Sequence, residues 1–255
     1  MSLKYEVITS VNEALDDAEK IWNEVGYHFI NERLEKSYRA IGDAEKVPTK
    51  IPDFPFIKEG EPQVADFIAL VLDIRNSTQH LLQAISAHSS KASQLERVLY
   101  ETTAINTAGS IIVDHYKGGI TEYLGDGFLA LYHIKDEKNP TEVYDAYNSA
   151  EFYLSTALVE INEILHNRYL LPKLEIGIGL AYSKAIVTIV GQGTNLHPKA
   201  LGECVYRASK LSNGVNEVLI DERLKLLWPH SKGGILKFTF ANRGYDFRSY
   251  RIMKS

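Results

Sequence analysis

Thr121-Glu122-Tyr123-Leu124-Gly125-Asp126-Gly127-Phe128-Leu129-Ala130-Leu131-Tyr132 reads as a hairpin with Asp126 at its tip. Two strand-like runs flank Gly-Asp-Gly. Asp-Gly between apolar runs is the strongest short-range hairpin signal, because a tight turn needs positive φ. A second carboxylate, Asp73, closes the apolar run Phe67-Ile68-Ala69-Leu70-Val71-Leu72. The two acids become neighbours only if that strand lies beside the hairpin. Carboxylates held that close repel unless a cation sits between them. The pattern points to a metal-dependent phosphate site.

Composition bounds the reading. The chain has 255 residues, 45% hydrophobic and 24% charged. That suffices for one large domain, or a domain with an appendage, around a full core. A net charge of −5 gives no basis for binding nucleic acid, which favours basic surfaces. The single cysteine, Cys204, excludes a disulfide framework within the chain and fits a reducing, cytoplasmic setting. No apolar run approaches the ~20 residues of a membrane span. The N-terminus lacks the basic-then-apolar pattern of a signal peptide.

Along the chain, Ser10-Val11-Asn12-Glu13 has the form of a capping box. Val11, Leu15, Ala18, Trp22, Val25, Phe29, Ile30 and Leu34 continue at helical spacing, which predicts a long amphipathic helix ending near Gly42. Residues 43–63, with Pro48, Pro52, Pro55 and Pro62, read as an extended linker. Ala65 to Ile74 reads as a strand buried on both faces. Asn76-Ser77-Thr78 supplies N-cap chemistry for helical patterning through Leu81, Leu82 and Ile85, and again from Leu95 to Ile112. After the hairpin, Glu142 to Leu165 is an amphipathic helix. Leu174 to Ala181 and Ala185 to Val190 are predicted as two strands joined by a turn at Ser183-Lys184. Gly202 to Leu211 follows as a helix ended at Asn213-Gly214, Val218 to Ile220 as a short strand, and Asp221 to Leu227 as a short helix. Leu236 to Phe240 and Tyr245 to Ile252 form a last hairpin. The order strand, helix pair, strand, strand, helix, strand is the ferredoxin-like βαββαβ arrangement, an α+β fold, with additions.

Several segments together resemble class III nucleotidyl cyclases. Asp73-Ile74 with Ser77-Thr78 is similar to that family's first metal strand, and Glu122-Tyr123-Leu124-Gly125-Asp126 to its second metal segment. Ile176-Gly177-Ile178-Gly179 through Val190-Gly191 resembles the strand pair "Gly-Ile-His-Thr-Gly…Val-Gly". Leu201-Gly202-Glu203-Cys204-Val205-Tyr206-Arg207-Ala208-Ser209-Lys210-Leu211 resembles "Phe-Gly-Asp-Thr-Val-Asn-Thr-Ala-Ser-Arg-Met", and Glu217 to Asp221 fits the strand that follows. The likeness runs from about residue 65 to the C-terminus. It implies a catalytic domain over residues 63–255, with the N-terminal helix and Pro-rich linker over 1–62.

The resemblance implies conversion of a nucleoside triphosphate to a 3′,5′-cyclic nucleotide and pyrophosphate. That reaction moves the ribose 3′-oxygen onto the α-phosphorus, so triphosphate must be held in line and growing charge neutralised. Two divalent ions, Mn²⁺ or Mg²⁺, suit hard carboxylates. Asp73 and Asp126 carry the metal role, and by resemblance the Ile74 carbonyl is a further ligand. Arg75 is placed to reach phosphate as a fork donor. Where the family has a ribose-orienting Asn this chain has Tyr206, and where it has a transition-state Arg it has Lys210, with Arg207 beside Tyr206 as a candidate to share that role. Lysine stabilises charge without bidentate geometry. Lys237, Arg243 and Arg248 are weaker phosphate candidates, with surface roles favoured for at least two of them.

Base choice in the family falls at two positions, here Glu122 and Lys199, and this pair matches neither the adenylate nor the guanylate scheme. Glutamate accepts from a ring N–H or an exocyclic amine, and lysine donates to a carbonyl. Uracil offers an N–H between two carbonyls; cytosine offers an amine. The pair, with Asp-Ile-Arg, is similar to the pyrimidine cyclases of bacterial Pycsar antiphage systems. That likeness implies UTP to cyclic UMP, a signal read by a cyclic-nucleotide-responsive effector, with cytidylate or purine cyclisation as alternatives. It also implies a homodimer with composite sites, metals from one subunit and the Tyr206–Lys210 helix from the other. A degenerate cyclase fold serving as a nucleotide sensor is the non-enzymatic alternative, motivated by Tyr206 and Lys210. Cys204 reads as a packing residue, and the eight histidines, His80, His88 and His115 among them, show no paired ligand spacing.

Overall fold

The computed structural model describes residues 2–25, 46–76, 93–191, 195–229 and 234–254. Helix α1 (Leu3–Val25) is followed by two short paired strands, β1 (Lys46–Pro48) and β2 (Phe56–Lys58), and then by β3 (Gln63–Ile74). Helix α2 (Gln94–His115) leads to the hairpin β4 (Gly119–Leu124) and β5 (Gly127–Ile134). Helices α3 (Glu142–Phe152) and α4 (Leu158–Tyr169) are joined by a π-helical turn, Tyr153–Ala157. The chain continues through β6 (Ile176–Val190), β7 (His197–Gly202), α5 (Glu203–Leu211), β8 (Glu217–Asp221), α6 (Glu222–Leu227), β9 (Leu236–Ala241) and β10 (Ser249–Lys254).

One eight-stranded sheet runs in the order β4-β5-β3-β6-β8-β10-β9, with β7 paired to β6. Its first four strands stand in the βαββαβ order expected from the sequence. Strand β3 is an inner strand, antiparallel to β5 and β6. Both of its faces are covered, which is why its pattern is continuously apolar. Ile68, Leu70, Leu72 and Ile74 join the main core under α1, α2, α3 and α4. Phe67, Ala69 and Val71 alternate onto the other face, packing in a smaller cluster with Ala208 and Leu211 of α5. That helix lies so close to β6 that a Cβ at Gly179 would stand 2.1 Å from the Ala208 carbonyl oxygen.

Several expectations are corrected. Ser10 does not begin the first helix: the Tyr5 N–H donates to Ser2 Oγ at 3.3 Å, and Ser10 lies mid-helix. Val7, Val11, Leu15 and Ala18 are all buried in the main core, so burial carries the helix through the local cap signal. The Pro-rich stretch is folded onto the domain rather than extended, with Ile51 and Ile57 buried in the smaller cluster. Strand β6 is continuous across Ser183-Lys184, because both residues stay in the ladder opposite Phe67 and Asp66 of β3. The last strand starts at Ser249; Tyr245 to Arg248 belong to the loop before it. The expected helix from Glu142 to Leu165 is interrupted by the π-helical turn, where the buried Tyr153 hydroxyl donates to the Ile105 carbonyl at 2.7 Å. A capping box on Ser93 and Glu96, missed in the sequence, starts α2. The expected continuation of the first helix from Gly26 to Gly42, the Ser77-Thr78 cap, the Leu81–Ile85 pattern, His80 and His88 lie outside the described residues. Among the described residues no helix is long and apolar enough to cross a membrane.

The burial of α1 sets a test. Leu15→Ala is expected to lower unfolding stability by about 2–5 kcal/mol, and Ile21→Ala, on the exposed face, by less than about 0.5 kcal/mol. Urea unfolding of both variants checks this; equally small losses would mean that α1 is not part of the core.

Candidate active site

Asp73 ends β3 between two glycines, Gly127 of β5 and Gly177 of β6. A Cβ at Gly127 would stand 1.9 Å from the Leu72 carbonyl oxygen, so no larger residue allows this strand approach. One residue on, the Ile74 N–H donates to the Asp126 carbonyl at 2.9 Å. The bend of the hairpin is thereby fixed to the end of the strand, with the Asp126 backbone beside that of Ile74. The reason for the glycines differs from the sequence reading. Neither Gly125, Asp126 nor Gly127 has positive φ; Gly127 is needed for the close contact with β3. By alternation Asp73 shares the β3 face of Phe67, Ala69 and Val71, the face on which α5 lies.

Arg75 closes an ion pair with Asp73, and its N–H donates to the Glu175 carbonyl at 2.7 Å. Burial lowers its pKa, while Asp126 and Tyr245 nearby favour the charged form. A guanidinium stays protonated regardless. Its Nε is buried with no hydrogen-bond partner.

The donor chemistry at this end of β3 fits a hard divalent cation. Among the described residues no cluster of three or more His, Cys, Asp or Glu side chains is arranged to hold a metal. Mg²⁺-type sites, however, take one or two carboxylates and complete their shell with water and phosphate oxygens. Asp73 and Asp126 supply that number, and the guanidinium against Asp73 marks the site's need for positive charge.

Glu122 and Lys199 come from strands far apart in sequence and meet at 2.7 Å, with side-chain exposures of 31% and 29%. A half-exposed ion pair contributes little stability, about 0–1 kcal/mol at most. Both groups therefore remain open to exchange for a ligand.

Helix α5 is anchored on one side and exposed on the other. Cys204, Ala208 and Leu211 are buried, and the Cys204 N–H donates to Ser183 Oγ at 2.8 Å. Cys204 packs in the smaller cluster, and burial pushes its thiol up. Tyr206 is 53% exposed, and Lys210 Nζ stands 4.4 Å from its ring centroid. The Tyr206 hydroxyl, together with Asp246, whose Oδ1 lies 3.4 Å from Nζ, raises the Lys210 pKa. The Tyr245 hydroxyl lies between two acceptors, the Lys210 carbonyl at 2.8 Å and Asn213 Oδ1 at 2.5 Å. Tyr245 thus links the end of α5 to the surroundings of Arg75. Neither Tyr245 nor Asp246 was singled out in the sequence; they are distant along the chain and follow no spacing.

Arg207 departs from the expected grouping with Tyr206 and Lys210. It is buried, with Nε and Nη2 on Glu203 at 2.8 and 2.7 Å and Nη1 on Asp221 and Glu222 at 3.1 and 2.8 Å. Its guanidinium also lies over the Phe247 ring, 4.7 Å from the centroid. Asp221 is fully buried; burial pushes its carboxyl up, opposed by the N–H groups of Leu224 and Tyr182 and by Arg207. Lys237 is exposed on β9, and β6, β8 and β10 separate it from β3, so one chain does not bring it to Asp73. Arg243 and Arg251 both pair with the buried Glu217.

No protein-family model matches this chain, and no curated protein matches it in sequence. Solved structures match its fold. The guanylyl cyclase Cya2 superposes with a TM-score of 0.59 at 18% identity, over 76% of this chain and 93% of that one. The adenylyl cyclase CyaB from P. aeruginosa gives 0.60 at 18% identity, over 76% and 97%. The catalytic core of a rhodopsin-guanylyl cyclase with converted specificity, solved with ATPalphaS, gives 0.54 at 16%, over 77% and 100%. The chain has the α+β fold of class III cyclase catalytic domains.

The ion network around Arg207 sets a second test. Arg207→Ala leaves Asp221 buried and unpaired and is expected to cost about 3 kcal/mol, read by chemical denaturation. A loss below about 1 kcal/mol would mean that water satisfies the network.

Proposed function

We propose that this chain is a nucleotide cyclase that converts a nucleoside triphosphate to a 3′,5′-cyclic nucleotide and pyrophosphate, with residues 63–255 as the catalytic domain. The observation that carries the reading is the Ile74–Asp126 backbone bond, which sets two acids side by side at the open end of a cyclase-type sheet. Asp73, Asp126 and the Ile74 carbonyl would hold one or two divalent ions, Mn²⁺ or Mg²⁺, which supply Lewis acidity at the phosphates when bound. Arg75 contributes a bidentate donor to phosphate oxygens. Lys210 offsets charge as the leaving pyrophosphate departs, and Tyr206 orients the ribose beside it. Arg207, drawn into the Asp221 network, is assigned to holding α5 in place rather than to charge stabilisation.

For the base, Glu122 accepts an N–H and Lys199 donates to a carbonyl, the complement of the uracil edge. UTP is accordingly the proposed substrate, with CTP second. The product would act through a cyclic-nucleotide-responsive effector in antiphage signalling, inside the cell; that step rests on the sequence resemblance alone. The proposed assembly is a homodimer with composite sites. Two features support it: Tyr206 is exposed on α5, and Lys237 lies remote from Asp73 of its own chain. Purine cyclisation is the competing reading, favoured by fold neighbours that are adenylyl and guanylyl cyclases.

Incubation with each of the four nucleoside triphosphates and Mn²⁺ tests the substrate. UTP turnover is expected to exceed that of ATP and GTP at least about tenfold, the scale of one misplaced hydrogen bond. Preferred turnover of ATP or GTP rejects the pyrimidine assignment, and binding without turnover at any metal concentration favours a sensor. For the dimer, Asp73→Ala and Lys210→Ala are each expected to be inactive. Re-equilibrated together they should regain about a quarter of wild-type activity, because half the dimers are mixed and each holds one intact site. A mixture that stays dead while both variants dimerise would sink the composite site.

A further inference from the structure

The acids at the end of β3 already have a cation. Arg75 follows Asp73 by two residues and pairs with it, and its guanidinium also lies in the field of Asp126. Its side chain is only 17% exposed, and its Nε is buried and unpartnered. The Arg75 N–H is tied to the Glu175 carbonyl, so the backbone is held and only the side chain is free to turn. A buried donor without an acceptor costs about 1–3 kcal/mol. This guanidinium is therefore not fully satisfied where it rests.

We propose that Arg75 is an internal counter-cation: it occupies the Asp73 carboxylate in the nucleotide-free protein and must leave before a divalent cation binds there. The inference rests on the cyclase reading of the same site. A guanidinium and a divalent ion on one carboxylate repel each other, so the two exclude one another. A triphosphate resolves the competition. Its oxygens give the arginine a planar, bidentate partner and an acceptor for Nε, at the moment the nucleotide also brings oxygens for the metal. Metal and nucleotide then bind as a coupled pair, and the empty protein resists loading with metal alone.

Binding of Mn²⁺ to the full chain, followed by the electron paramagnetic resonance signal of the free ion, tests this without turnover. Arg75→Gln is expected to bind Mn²⁺ about tenfold more tightly than wild type in the absence of nucleotide, the usual size of such coupling. Arg75→Met, which keeps the apolar stem, is a second variant should the first melt early, and Arg223→Gln, which removes an arginine elsewhere, should leave the affinity unchanged. Affinity in Arg75→Gln and Arg75→Met no higher than wild type overturns the counter-cation role, as does an equal gain in Arg223→Gln. Asp73→Asn separates this failure from that of the underlying reading. If Asp73→Asn binds Mn²⁺ as wild type does, or no variant binds it even with a non-cyclisable UTP analogue, the metal site itself is wrong.

Discussion

Strand β3 is held in register on both sides, by β6 along its whole length and by β5 from Asp66 to Asp73, and most of the molecule follows from that constraint. A strand clamped this way has no freedom in where it ends. Its last residues meet the bend of the β4–β5 hairpin, and the Ile74–Asp126 bond closes the corner. Slippage by one residue would turn Asp73 to the other face and bring Leu72 in its place. The position of one carboxylate relative to the other is thus a property of the ladder and not of any local loop.

The sheet divides labour between its faces. One carries the large core with α1, α2, α3 and α4, which supplies most of the apolar burial. The other carries a smaller cluster and, among the described residues, helix α5, and by alternation Asp73 lies on that face. Helix α5 packs Cys204, Ala208 and Leu211 into that cluster, and the Arg207 network ties it further to β8 and α6. Such networks serve specificity of position more than net stability.

The strands and helices were legible because burial on two faces leaves continuous apolar runs and burial on one leaves a helical stripe. The two acids were legible for the same reason: one closes such a run and the other sits in a glycine bend. What escaped were features set by contacts between distant segments. Strand β7 has no apolar pattern of its own and pairs with the part of β6 that extends past β8. Arg207 looked equivalent to its neighbours Tyr206 and Lys210, since nothing in the stretch Leu201–Leu211 reveals that Asp221 and Glu222 wait on the next elements. Tyr245 was read as strand because aromatic residues favour strands, whereas here its hydroxyl caps the end of α5. The glycine at 127 was expected for the wrong reason, turn geometry instead of crowding.

The contact between Glu122 and Lys199 has a thermodynamic corollary. Each charge already has a mate, so an arriving guest gains nothing by offering a single complementary group: it satisfies one side chain and strands the other. Only a guest presenting an acceptor and a donor along one edge exchanges both contacts without loss. Under the proposed base-reading role, discrimination would come from excluding the poorly matched guest rather than from gripping the right one.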